Sequence, residues 1–133
     1  MHRSIEEICD QIIVLDSSIR FACFATDVGK IIAYKYRKIV APFLTSTETE
    51  LSFIDSALMM RIRKDMEPKL GEVICSIVLY EKVTHATILL ESKDYPLLMI
   101  SFDNSNKETN HESLILDTIL PLVYRYFTRT QNP

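Results

Sequence analysis

The sequence predicts an α+β fold: a five-stranded antiparallel sheet with helices on both faces, in the order α-β-β-α-β-β-β-α. Three observations carry this. Ile19–Tyr36 alternates apolar and polar residues around one tight turn, as a hairpin does, and Val73–Phe102 alternates through two further turns, as a three-stranded meander does. Segments of helical periodicity precede, separate and follow these two runs. The 133 residues suit a single domain, 1–133, because compact domains most often run to roughly 100–150 residues.

The first helix is expected from about Ser4 to Leu15. Ser4 is its N-cap, Ser4-x-x-Glu7 has capping-box form, and Glu6 and Glu7 sit in the first turn, where the helix dipole favours negative charge. Ile5, Ile8, Cys9, Ile12 and Leu15 form its apolar stripe. Strands Ile19–Thr26 and Ile31–Tyr36 then flank Asp27-Val28-Gly29-Lys30, with glycine where a positive φ is needed. Their alternation puts Ile19, Phe21, Cys23 and Ala25 on a strongly apolar face with Ile32, Tyr34 and Tyr36. Arg20, Ala22, Phe24, Ala33 and Lys35 fall on a mixed face.

Pro42 lies in a linker, and Thr47-x-x-Glu50 is a second capping box that opens the central helix. Leu51, Ile54, Leu58 and Ile62 form its apolar stripe, Met59 and Met66 lie beside it, and Pro68 with Gly71 marks its end. Arg61, Arg63, Lys64 and Lys69 crowd its C-terminal half, where cations suit the dipole.

A two-residue turn at Glu81-Lys82 fixes the register of the meander. Val73, Cys75, Ile77 and Leu79 then share a face with Leu90, Ile88, Ala86 and Thr84. Ile74, Ser76, Val78 and Tyr80 share the other with Leu89, Thr87, His85 and Val83. Leu98, Ile100 and Phe102 continue the first face in a third strand. The final helix begins near Asn110 or His111, turns Leu116, Leu120, Val123 and Phe127 inward with Ile119 beside them, and is kinked by Pro121.

Composition removes several function classes. A net charge of −3 gives no field favouring nucleic acid or an anionic membrane. Two glycines are too few for a Gly-rich phosphate loop. No apolar stretch approaches the roughly 18 residues of a membrane span, and Met1-His-Arg-Ser-Ile-Glu-Glu lacks the apolar core of a signal peptide; no membrane insertion and a cytoplasmic location are expected. Cys9, Cys23 and Cys75 are odd in number and embedded in apolar patterns, and so read as buried free thiols.

No catalytic, cofactor-binding or metal site emerges, and none is expected. His2, His85 and His111 lack metal-ligand spacing, and the meander register puts His85 and Cys75 on opposite faces, which separates a thiol from its only nearby base. His85 reads as a partly exposed strand residue that could titrate near neutrality. Asp103-Asn104-Ser105-Asn106 opens like a calcium loop, but Leu114 stands where a bidentate Glu belongs. Lys30, Lys35, Arg37 and Lys38 interleave with Tyr34 and Tyr36, yet the alternation buries the tyrosines in the core, so no stacking surface for nucleic acid is expected.

The element order resembles the roadblock/LC7 fold and the related longin and profilin-like domains. That resemblance implies strand order 2-1-5-4-3, with the terminal helices on one face and the central helix on the other. Met60-Arg61-Ile62-Arg63-Lys64, Lys69-Leu70-Gly71, Glu81-Lys82-Val83 and Ser101-Phe102-Asp103 further resemble a family of uncharacterised small proteins from ammonia-oxidising archaea. Roadblock-like domains commonly dimerise by joining third-strand edges and serve as platforms for small GTPases or multiprotein complexes. The resemblance therefore implies a non-catalytic interaction module, a homodimer whose surface draws on Val73, Cys75, Ile77 and Leu79 with Met59 and Met66 of the central helix. The alternative is a small-molecule sensor resembling GAF or PAS domains, in which Ser76, Tyr80, His85 and Thr87 line the ligand face.

Overall fold

The computed structural model describes residues 4–38, 41–105 and 109–131. His2 and Asn106 lie outside them. The elements are α1 (Ile5–Ile13), β1 (Ile19–Ala25), β2 (Ile31–Tyr36), α2 (Ser46–Lys64), α3 (Glu67–Leu70), β3 (Cys75–Leu79), β4 (Val83–Leu89), β5 (Leu97–Asp103), α4 (His111–Leu114), a π-helical turn (Ile115–Ile119) and α5 (Leu120–Gln131). The five strands form one antiparallel sheet in the order β2-β1-β5-β4-β3, the order that the resemblance implies.

Local chemistry sets the boundaries. The Glu7 N–H donates to Ser4 Oγ at 3.2 Å and starts α1. Between β1 and β2, the Thr26 N–H donates to Lys30 O and the Gly29 N–H to Thr26 O, both at 2.9 Å, with Gly29 at φ +86°. The Tyr80 N–H donates to Val83 O at 2.8 Å and closes the two-residue β3–β4 turn. The meander then has the expected register, from Cys75 opposite Ile88 to Leu79 opposite Thr84.

Two cores lie on the two faces of the sheet. The larger joins Ile8, Cys9 and Ile12 of α1 to Ala22, Phe24, Ala86, Ile88, Leu98, Ile100 and Phe102, and is closed by Ile115, Ile119, Val123 and Phe127 of the C-terminal helices. The smaller packs Phe53, Ala57 and Met60 of α2 on Cys23, Ala25, Leu97 and Met99. The larger layer thus covers the face that alternation marks as mixed in the first hairpin and as apolar in the meander. Small and aromatic residues at 22, 24 and 33 leave room for helices there, and Lys35 reaches the margin, 3.6 Å from Asp10 of α1.

Several expectations are corrected. The capping box of α2 is Thr45 with Glu48, two residues before Thr47 and Glu50: Thr45 N–H donates to Glu48 Oε1 at 2.9 Å, and Glu48 N–H to Thr45 Oγ1 at 3.1 Å. A register shift between Ile19 and Phe21 sends Ile19 into the larger core, and Arg20 to the α2 side, where it pairs with Asp103 at 3.6 Å. Tyr34 and Tyr36 stand exposed rather than buried, because α2 does not extend over β2. In the C-terminal helix, the Leu120 N–H donates to Ile115 O across a widened π turn, just before Pro121, whose ring nitrogen has no proton to give. The inserted residue changes the helical phase, so Ile115 is fully buried and Leu116 faces solvent.

Candidate functional site

The apolar stripe of α2 points away from the sheet. Phe53, Ala57 and Met60, spaced at i, i+4 and i+7, face the smaller core, so Leu51, Ile54, Leu58 and Ile62 stand exposed on the opposite side with Met59 and Met66. Leu51 retains 61% of its surface in solvent and Leu58 51%. Exposed apolar side chains in such a row make this face a candidate interaction surface. The helix carries two apolar stripes, and the sequence signal for the second was the 53/57/60 spacing.

The two sheet edges differ. On β2, the register shifts between Phe24 and Ala25 and leaves Ile32 as an extra residue, and Lys35 reaches Asp10 of α1 at 3.6 Å. A bulge and a lysine are the devices that discourage further strand pairing. On β3, the sequence Cys75-Ser-Ile-Val-Leu79 has no charge, proline or bulge, its register with β4 is unbroken, and Ile77, Val78 and Leu79 are exposed. Among the described residues, this edge carries none of those devices.

The residues singled out for partner binding divide accordingly. Ile77 and Leu79 lie exposed on β3, and Met59 and Met66 lie exposed on or just beyond α2. Cys75 is half-buried against the larger core. Val73 precedes β3, packs on the smaller core and donates its N–H to Glu67 Oε2 at 2.8 Å, so it belongs to the α3–β3 connection rather than to the edge.

Ser76, Tyr80, His85 and Thr87 do share the α2-side face. Ser76 is opposite Thr87, and the Tyr80 ring meets His85 edge-on at 5.5 Å. Their burial differs: Thr87 is buried, Ser76 and His85 are half-buried, and Tyr80 is exposed. Burial and the nearby Arg20 guanidinium hold the His85 imidazole below its ordinary pKa.

An open groove at the strand ends is lined by Leu79, Tyr80, Glu81, Thr84, Asn104, Thr109 and His111. Part of its polar wall is engaged internally. Thr84 Oγ1 donates to Asn104 Oδ1 at 2.8 Å, and Asn104 Nδ2 to Tyr80 O at 2.7 Å. His111 stacks on Phe102 at 4.6 Å, and its buried Nε2 has no hydrogen-bond partner among the described residues. Burial lowers the His111 pKa, against the pull of Asp16 and Asp103.

The thiols are poor nucleophiles. Burial pushes Cys9 up to about 12, and it pushes Cys23 and Cys75 upward as well. Cys75 and His85 fall on opposite faces, as their register requires. Among the described residues, no three His, Cys, Asp or Glu side chains gather to hold an ion, and no helix is long and apolar enough to cross a membrane. The exposed tyrosines do not meet the cations near them: Lys35 turns to Asp10, and the Arg37 guanidinium is bound by the carbonyls of Ile13, Asp16 and Ile19.

No protein-family model matches the chain, and no curated protein matches it by sequence. Solved structures do. A roadblock/LC7 domain from Streptomyces avermitilis is 8% identical and superposes with a TM-score of 0.66, covering 96% of this chain and 99% of that one. The gliding protein MglB from Thermus thermophilus is 13% identical with a TM-score of 0.67 over 92% of this chain and 87% of that one. MglB from Myxococcus xanthus is 14% identical, with a TM-score of 0.63 over 95% and 90%. At these identities the likeness establishes the fold, which is that of the roadblock/LC7 domains.

Proposed function

We propose that this roadblock-fold chain is a non-catalytic, cytoplasmic interaction module that forms a homodimer through the β3 edge and presents α2 to a further protein. The unprotected β3 edge carries the reading. A strand of five residues with exposed apolar side chains and free backbone groups along its outer side is a template for another strand. Antiparallel pairing with a second copy satisfies those groups around a two-fold axis and closes the assembly. The contrast with the bulged, lysine-bearing β2 edge supports pairing at this edge rather than at the other.

The outward stripe Leu51, Ile54, Leu58 and Ile62 is then left for a protein partner. Roadblock-like domains are known as platforms for small GTPases and multiprotein complexes, and that is the partner class proposed for this stripe.

Size-exclusion chromatography with light scattering tests the dimer. The expected result is a mass twice that of one chain, reduced to one chain by Leu79→Lys. That side chain is 78% exposed, so its charge reaches the edge without entering the core. A strict monomer at high micromolar concentration would overturn the reading.

A further inference from the structure

The helices over the larger core leave β3 uncovered, and we infer that the apolar, acid-rimmed trough between β3 and the C-terminal helix binds a basic amphipathic helix of a partner protein. The trough lies within one copy of the chain, on the face opposite α2. The inference therefore goes beyond the dimer and the α2 surface proposed above.

Geometry sets the trough. Strands lie about 4.8 Å apart and packed helices about 10 Å apart, so two helices cover about four strands. α1 packs on β1 and β2, and the C-terminal helix closes the core over β5 and β4. β3 is the strand left over. Its Ile77 and Leu79 fall on that face, opposite Ala86 and Thr84 in the register, and both are exposed. The wall is one flank of the C-terminal helix. The Tyr126 hydroxyl donates to Gln11 of α1 at 3.2 Å, so Tyr124, about 200° round the helix, looks the other way, toward β3. Burial raises the Tyr124 phenol pKa, and the nearby Cys75 of β3 raises it further. Leu116 stands one turn after Glu112, which lies close enough to Cys75 to add to the effect of burial on that thiol. At the other end of β3, Leu79 leads into the open groove that holds Glu81 and His111, a volume of about 520 Å³.

Charge selects the partner. Glu72 and Glu91 also act on Tyr124, Glu112 flanks Cys75, and Glu81 lines the groove. All four carboxylates are exposed, and among the described residues none forms an ion pair. Lys82, beside Glu81, turns to the Phe43 ring that also takes the Arg20 guanidinium. Ile77, Leu79, Leu116 and Tyr124 set among carboxylates match a helix whose apolar stripe is flanked by Lys or Arg, and the same carboxylates repel an anionic membrane. The C-terminal half of α2, with Arg61, Arg63 and Lys64, gives the opposite face the opposite sign, which directs a basic segment to the trough. The bare strip is one helix wide, so a helix there completes the layer. Strand pairing at the β3 edge runs in the plane of the sheet and leaves this face open.

The test is fluorescence anisotropy and amide-shift NMR on the full chain with a synthetic helix of roughly 18 residues. Its Leu residues recur at i, i+3, i+4 and i+7 with Lys beside them, and a counterpart carries Glu in place of Lys. The lysine helix is expected to bind at least about tenfold more tightly than its counterpart. Glu91→Lys with Glu112→Lys should remove that preference, and Tyr124→Ser should weaken binding about tenfold, with circular dichroism confirming that each variant is folded. Amide shifts should gather at Ile77, Leu79 and Leu116. Equal affinity for the two helices, indifference to these variants, or shifts confined to α2 overturns the inference. So does a mass above the dimer that Leu116→Lys reduces, which seats a second copy in the trough, or cosedimentation with phosphatidylserine vesicles that Leu116→Ser abolishes, which seats a membrane there. A monomeric chain overturns the dimer and leaves this test as it stands.

Discussion

Gly29 packs directly on the backbone of α2: a Cβ at this position would lie 2.7 Å from the Phe53 carbonyl oxygen. Its φ of +86° is also one that side chains rarely adopt. The β1–β2 turn is thus seated against the helix by the absence of a single methyl group. Gly29→Ala combines backbone strain with a clash against an atom that cannot rotate away, and is expected to lose about 2–4 kcal/mol in urea denaturation. A loss near zero would mean that the turn lifts freely from α2.

The orientation of α2 predicts opposite responses from neighbouring apolar residues. Phe53 is 5% exposed and its ring meets Phe21 at 5.8 Å, so Phe53→Ala should cost about 3–5 kcal/mol of stability. Leu51→Ala and Leu58→Ala, on the outward stripe, should each stay within about 1 kcal/mol of wild type in the same measurement. Comparable losses at all three positions would contradict the orientation.

Strand registers were legible because alternation has a period of two and each hairpin tests it twice, as Cys75 with Ile88 and Leu79 with Thr84 show. The facing of α2 was not. Its outward row of Leu51, Ile54, Leu58 and Ile62 is more hydrophobic than its inward row of Phe53, Ala57 and Met60, since a helix packed closely on a sheet needs a small residue such as Ala57 at the contact. The outward row was therefore legible as an apolar stripe, but the direction in which that stripe faces was not. The register shift beside Arg20 was invisible for a different reason: it is set by the strand ends and by the Asp103 and Ala41 partners of that side chain, which are distant in sequence.

Arg37 belongs to the architecture and not to a basic surface. Its Nε donates to Ile19 O at 2.7 Å, and its Nη2 donates to Asp16 O at 2.9 Å and to Ile13 O, joining the end of α1 to the start of β1. A planar fork makes these bonds and a lysine ammonium does not reproduce it. Arg37→Lys should lose about 1–3 kcal/mol in thermal or chemical unfolding despite keeping the charge. Stability equal to wild type would show that charge alone holds the junction.

Acid should weaken the fold through its histidines. His85 and His111 both have pKa values below the ordinary imidazole range, because burial disfavours the charged ring and, for His85, Arg20 repels it. The unfolded chain then binds more protons than the folded one, so stability is intact above the ordinary imidazole pKa and declines as pH falls through it toward the folded values. Thermal unfolding followed from pH 7.5 to about 5 should show a falling midpoint. His85→Gln should make that fall shallower, and an unchanged slope would exclude His85 as a contributor.

Cys75 offers a direct view of the edge. Cys9 and Cys23 are fully buried on either side of the sheet, whereas Cys75 opens β3 and is half-buried. A thiol reagent under native conditions should therefore modify one of the three cysteines, and the other two only on unfolding. The raised pKa of Cys75 makes that reaction slow at neutral pH and faster as pH rises. If β3 pairs with a second copy, the labelling rate should also fall as protein concentration rises, because the dimer protects what the monomer exposes. Concentration-independent labelling would place Cys75 outside any interface. Rapid labelling of all three would contradict the two-core packing that buries Cys9 and Cys23.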